Sequence, residues 1–232
     1  MAVKIYNVIN KGVRISDGVF TGPSLITDAG LYIESAGGYY AGGNILVDGT
    51  EYKVIVAPKE LGEAVSTEWK VNNTTSGTFS KYDGKSNMQT IINSGGITSH
   101  PAFNFCNNLN INGFSDWHLP SPDELELCYR FLKPNTIDNY VSSRPLHNET
   151  NGFNPNSNPL GGGYTVSSPT LTVSSEFQSG NSQAFIGGAY WTSYEPDSVS
   201  TAAYYQRFSD GLQNTTLKDG NYYVRAVRWV EV

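Results

Sequence analysis

Apolar residues along this chain change period several times, and each change marks an element. Around Asp48-Gly49 they alternate with polar ones: Ile45, Leu46 and Val47 lead in, and Tyr52, Val54 and Val56 follow. An Asp-Gly pair between two such runs predicts a hairpin closed by a two-residue turn. Over 85–95 the period becomes helical, with Met88, Ile91 and Ile92 on one face and Gly95-Gly96 as the stop. A second helix is predicted over 101–109, with Phe105 and Leu109 one turn apart. The segment 113–132 is the most explicit. Gly113 and Ser115-Asp116 supply turn chemistry, and Trp117 and Leu119 carry large apolar groups beyond it. Ser121, Pro122 and Glu124 then spell a helix N-terminus: a capping serine, proline at the first helical position, and a glutamate able to reach back to the cap amide. Leu125, Cys128, Tyr129 and Leu132 form one helical face, and Pro134 ends it.

Elsewhere the pattern is of short strands. Residues 1–40 hold apolar runs broken by Gly, Asp and Pro, which reads as a small β module with a thin core of its own. The glycines at 37–38 and 42–43 read as its junction with a larger domain over 43–232. Trp69 and Val71 mark a further strand. Residues 142–183 are dominated by Asn, Pro, Ser and Gly, a loop long enough to be either functional or disordered. Strands resume at 189–195 and 204–208, a Ser209-Asp210-Gly211 turn follows, and the run YYVRAVRWV over 222–230 reads as one strand central to its sheet.

Composition narrows the function classes. A net charge of −6, with no cluster of basic residues, argues against a nucleic-acid partner. No apolar stretch is long enough to span a bilayer, so no membrane insertion is expected. The first residues lack the apolar region of a secretion signal, so assembly in a cytoplasm is expected. Only 16% of the 232 residues are charged while Tyr numbers 15 and Gly 24, so the polar surface is built from Tyr, Ser, Asn and Thr. That balance suits a turn-rich β protein, and also the surfaces that binding loops use. Cys106 and Cys128 sit among apolar neighbours and read as buried free thiols, with no metal-ligand spacing.

Three stretches together carry a resemblance: FCNNLNINGFSDWHLPSPDELELCYRFL (105–132), AYWTSYEPDS (189–198), and FSDGLQN (208–214) continuing to YYVRAVR (222–228). They resemble the C-terminal domain of the Legionella collagen-like adhesin and its relatives, over about residues 43–230. The leading Asp-Gly hairpin and the run VAPKE (56–60) are similar to variants found in bacteriophage virion proteins, often tail-fibre or receptor-binding proteins. The resemblance implies an α+β fold with a C-type-lectin-like domain: two helices on a small antiparallel sheet with long loops, preceded by the small β module as an attachment piece. It implies core positions for Trp117 and Trp191, and a homotrimer.

Four constellations need weighing. Glu195-Pro196-Asp197 is similar to the triplet of calcium-dependent sugar-binding lectins, but a calcium ion needs six to eight oxygens from several loops, and the partner motif on a following strand is missing. The triplet reads as a turn. The related fold of formylglycine-generating enzymes works through a reactive cysteine pair, whereas Cys106 and Cys128 lack cationic neighbours beyond Arg130. Asp116, His118 and Ser121 lie within one turn and helix start, with Ser121 committed to capping, so they make no triad. His100 and His147 are isolated from each other in sequence and suggest no site. The candidate ligand-binding residues are Tyr164, Tyr194, Glu195, Asp197, Tyr205 and Arg207. Their rings can stack on sugar faces and their polar groups can bind hydroxyls. If Phe208 points inward, alternation puts Tyr204 and Gln206 beside it and Tyr205 and Arg207 outward, although aromatics on both faces leave that phase open. The expectation is a non-enzymatic phage virion structural protein, without cofactor or metal, acting as a tail-fibre or receptor-binding adhesin for a host surface glycan or protein. The alternative is an architectural head-decoration, collar or tail accessory protein that contacts other virion proteins.

Overall fold

The computed structural model describes residues 15–16, 19–20, 28–142, 146–147 and 149–232. Most of the β module expected over residues 1–40 therefore lies outside the described residues. What is described of it is one antiparallel pair, β1 (Ile15–Ser16) with β2 (Val19–Phe20), and the segment 28–40. The remainder is mixed α+β. In chain order come β3 (Tyr32–Ile33), β4 (Gly38–Val47), β5 (Thr50–Val56), the single-turn α1 (Lys59–Gly62), β6 (Glu63–Glu68), α2 (Gly84–Asn93), α3 (Pro101–Asn107) and α4 (Pro122–Leu132). The chain continues through β7 (Ser157–Asn158), β8 (Ala189–Trp191), β9 (Ala202–Arg207), β10 (Gln213–Leu217), β11 (Asn221–Arg225) and β12 (Val227–Glu231).

These strands make two sheets rather than one small antiparallel sheet. The first has the order β12-β5-β4-β3, with β7 also pairing β4, and is antiparallel throughout. The second has the order β10-β9-β8-β11-β6 and is mixed, because β11 runs parallel to β8. The turn between β4 and β5 forms as its sequence predicts: Asp48 and Gly49 take φ of 48° and 85°, and Val47 faces Thr50.

Two boundaries differ from the sequence reading. The apolar run 222–230 is two strands, one in each sheet. The chain changes sheets at Ala226, whose amide donates to the Gly62 carbonyl. The β11 half lies inside its sheet, whereas the β12 half lies at the end of its own. A run that feeds two sheets has the same composition as one long buried strand, so the pattern alone reads as one. Of the glycines expected to mark the junction, at 37–38 and 42–43, all but Gly37 fall inside β4. Gly42 and Gly43 are there because α4 crosses the strand: a Cβ on Gly42 (φ +104°) would lie 2.6 Å from the Phe131 Cβ, and one on Gly43 2.6 Å from Leu127 Cδ2. The register shift between Tyr40 and Asn44 is at the same place. Residues 28–40 belong to this body, with Ala29 and Ala36 buried in its core.

Trp69 and Val71 form no strand. Trp69 follows β6 and is buried against Phe103 and His100, its indole donating to the Thr192 carbonyl at 2.7 Å. Helix α4 lies between the sheets, and only Arg130 in it keeps partial exposure. Leu125, Cys128, Tyr129 and Leu132 pack with Ile45, Val54, Tyr190 and Phe208 in one apolar cluster. Trp117 and Trp191 sit in a second, with Phe103, Ile55 and Val224. The insert over 142–183 is packed onto this core where it is described: Tyr164 and Phe177 are buried in the first cluster, and Asn151 and Asn154 have no exposed surface. Among the described residues no helix is long and apolar enough to cross a membrane.

Candidate functional site

A depression on the described surface forms where three separate segments meet. The β9–β10 hairpin supplies Tyr204, Asn214 and Thr215; the loop after β8 supplies Tyr194 and residues 196–199; Lys81 and Leu146 close the far side. The hairpin register produces the first group, since Thr215 faces Tyr204 across the strands and Asn214 faces Tyr205. The cavity is about 410 Å³. Its floor is apolar: Leu146, Tyr194 and Tyr204 make a small cluster, with the two rings 5.8 Å apart. Its rim is polar, with Asp197 exposed and Lys81 holding the Leu146 carbonyl through its ammonium at 2.5 Å. Burial, helped by the nearby Asp197, raises the Tyr194 phenol above its usual range, so it stays a neutral hydroxyl.

The six residues chosen from sequence divide. Tyr194 and Asp197 meet in this groove. Glu195, between them, points the other way. It is 1% exposed, and its Oε2 accepts from the Lys218 ammonium and the Ser76 amide, both at 2.7 Å. Lys218 also donates to the carbonyls of Thr74 and Ser200 at 2.7 Å, which ties the loops behind the groove together. The 195–197 triplet is thus a turn with its first carboxylate consumed internally, and Val199 closes it by donating to the Pro196 carbonyl. Tyr164 is likewise interior: its hydroxyl donates to Glu126 Oε1 at 3.0 Å and accepts from Gln206 at 3.0 Å. Tyr205 and Arg207 lie on the other face of β9, as the alternation about an inward Phe208 requires. Tyr205 packs edge-on against Tyr222 at 5.1 Å, and Arg207 is held by Asp210.

Tyr204 was readable as a groove residue only after choosing which face of β9 opens. Its cross-strand partner Thr215 could have been found by counting outward from the Ser209-Asp210-Gly211 turn. Lys81 and Leu146 come from distant segments and carry no sequence signal.

Buried charge is concentrated elsewhere, at the first turn of α4. The capping box is present: the Ser121 amide donates to Glu124 Oε2 at 2.6 Å and the Glu124 amide to Ser121 Oγ at 3.3 Å. Glu124 has further partners that sequence reading missed, the His118 ring at 2.7 Å and the Trp229 indole. Burial opposes its charge, but His118 and the Ser121 amide outweigh that and hold the carboxyl below its usual range. Asp123 pairs with His147 at 2.7 Å and accepts from Asn156 at 2.8 Å. Glu126 pairs with Arg130 at 2.7 Å and accepts from Asn154 at 3.0 Å. Asp116, His118 and Ser121 do not converge, because Asp116 turns to Arg228 at 2.6 Å. Cys106 and Cys128 are free, fully buried thiols whose pKa burial pushes up, away from thiolate chemistry. Among the described residues no group of three or more His, Cys, Asp or Glu could hold a metal ion.

A protein-family model described as the Lcl C-terminal domain matches residues 64–228. No curated protein matches the chain.

Proposed function

The chain belongs to the Lcl C-terminal domain family, and from that premise we propose that it is a non-enzymatic binding domain of C-type-lectin-like build. In this reading it is displayed on a bacteriophage virion and takes a host-surface ligand in the groove between the 194–199 loop and the β9–β10 hairpin. The observation that carries the reading is the composition of that groove. An apolar floor of Leu146, Tyr194 and Tyr204 lies beneath a rim of Asp197, Asn214, Thr215 and Lys81. Such a surface complements a saccharide, whose ring offers an apolar face and whose hydroxyls pair with amide, carboxylate and hydroxyl groups. A single open groove binds weakly, and several copies on one particle, for instance as a homotrimer, supply the missing strength through effective concentration. The virion setting rests on the resemblance of the Asp48-Gly49 hairpin and the VAPKE run.

A second reading, an architectural role against neighbouring virion proteins, is favoured by one observation. Leu31 and Val173 line a shared notch and are 58% and 76% exposed, two apolar side chains that a neighbouring protein would cover. Labelled protein applied to host cells separates the two. Wild type should stain the cells, and Asp197→Ala combined with Asn214→Ala should weaken staining by roughly tenfold or more, the loss of two polar contacts. Staining unchanged by the double substitution sinks the groove. A protein that binds only to particles lacking it transfers the function to the architectural reading.

A further inference from the structure

The chain contains two Asn-Gly pairs, Asn112-Gly113 and Asn151-Gly152, and the fold treats them in opposite ways. Asn-Gly is the pair most open to backbone attack on its own side chain, because glycine offers no Cβ to shield its amide nitrogen. Attack needs that nitrogen free and the asparagine side chain able to turn toward it.

At Asn151 both requirements are blocked. The side chain is fully buried, and its Nδ2 donates to the carbonyls of Tyr140 and Gly211, each at 2.9 Å. Its Oδ1 accepts from the Gln213 amide at 3.1 Å. The nucleophile is held as well, since the Gly152 amide donates to Gln213 Oε1 at 3.1 Å. Turning this side chain would break three hydrogen bonds in the interior at once.

At Asn112 neither is blocked. Asn112 and Gly113 are both exposed, at the tip of a two-residue turn with φ of 53° and 85°. The turn is closed only by the bridge between Ile111 and Phe114. The side chain makes one hydrogen bond, from Nδ2 to the Tyr32 hydroxyl at 2.8 Å. The Gly113 amide has no partner among the described residues, and nothing lies within 4 Å of where a Cβ would stand.

We propose that Asn112 is a site of spontaneous, structure-directed deamidation, and that the identical pair at Asn151 is protected by the fold. The Gly113 nitrogen bonds to Asn112 Cγ, the Cγ–Nδ2 bond breaks, and ammonia leaves carrying the proton from the Gly113 amide. The product is a five-membered succinimide. Water then opens one of its two carbonyl–nitrogen bonds, leaving aspartate at one opening and isoaspartate at the other. Either product makes the protein one unit more negative. A carboxylate at this position cannot donate to Tyr32, so the contact of the turn with β3 changes from amide donor to acceptor. Isoaspartate also inserts a backbone methylene into a turn of two residues.

The test is an incubation of the folded protein in mildly alkaline buffer, followed by peptide mapping and isoaspartyl methyltransferase labelling. A parallel sample is incubated unfolded in urea. In the folded sample the Asn112 peptide should convert roughly tenfold faster or more than the Asn151 peptide, because the latter reacts only on local opening. In urea the two rates should come together. Asn112→Gln, whose longer side chain would need a larger ring, should remove the first acidic form seen on anion exchange. Equal rates in the folded protein overturn the proposal, and so does an Asn112 that reacts in urea but not in the fold.

Discussion

His100 is held neutral in the folded protein. Burial is the main cause, the cations of Lys70 and Lys218 add to it, and its pKa falls from 6.5 to about 4 despite a hydrogen bond to the Gly96 carbonyl at 2.7 Å. The unfolded chain protonates this ring near 6.5, the folded one only near 4, so between those values the unfolded state binds more protons and stability falls as the pH drops. The loss across the window is about 3 kcal/mol. His100→Phe removes the titration while keeping a ring beside Trp69 and Phe103. In urea unfolding at stepped pH, the variant should lose the slope that His100 adds between pH 6.5 and 4, whatever its baseline stability. Parallel slopes for the two proteins would refute this. Nothing in the sequence marks His100 as buried, since it directly precedes the helix predicted from Pro101. The Ser121–Glu124 cap was readable because both partners lie within one turn. The other partners of Glu124, His118 and Trp229, were not, since Trp229 arrives from the far end of the chain.

Among the elements, α4 and the Asn-rich insert explain each other. The sequence shows α4 as one-sided, with Leu125, Cys128, Tyr129 and Leu132 on its apolar face. The opposite face carries Asp123, Glu126 and Arg130, which ordinarily means solvent. Here the insert covers that face. Buried charges and amides are stable only when paired, so a polar cover suits it better than an apolar one. Asn154 is central: its Nδ2 donates to the Asp123 carbonyl at 2.9 Å and to Glu126 Oε2 at 3.0 Å. Asn154→Ala should cost about 2–3 kcal/mol in urea unfolding, because it leaves a buried carboxylate short of a donor. Asn158→Ala, which loses an exposed hydrogen bond to Glu51, should cost under about 0.5 kcal/mol. Two equally small effects would mean that the insert lies outside the cooperative core. Composition identified the insert as polar and turn-rich. It could not say whether those amides face water or a buried helix, since both environments select the same residues.

For the molecule as a whole, the body starts earlier than the glycine pattern indicates. Ala36 and Ala41 are buried, Tyr39 pairs with Val56, and the Arg228 guanidinium donates to the Ala36 carbonyl at 2.9 Å. A chain beginning at residue 28 keeps these contacts and should therefore unfold in one cooperative transition. One beginning at residue 43 loses β3 and half of β4, which uncovers the edge of β5, and should show no cooperative transition. Equal melting of the two truncations would place residues 28–42 outside the core.

The elements held together by near neighbours were determined by the sequence itself: the Asp48-Gly49 turn, the α4 cap, and helices at α2 and α3. The two tryptophans expected in the core are there too. Family membership also followed from the sequence, because its motifs are contiguous. Only the tertiary structure decided that the last apolar run serves two sheets, that Gly42-Gly43 is a crossing point for α4, and that Tyr194 and Asp197 share a groove while Glu195 and Tyr164 do not. Each of those outcomes depends on which distant segment supplies the neighbouring atoms. Periodicity and local turn chemistry report the conformation of a segment and the faces it presents, but not what those faces meet.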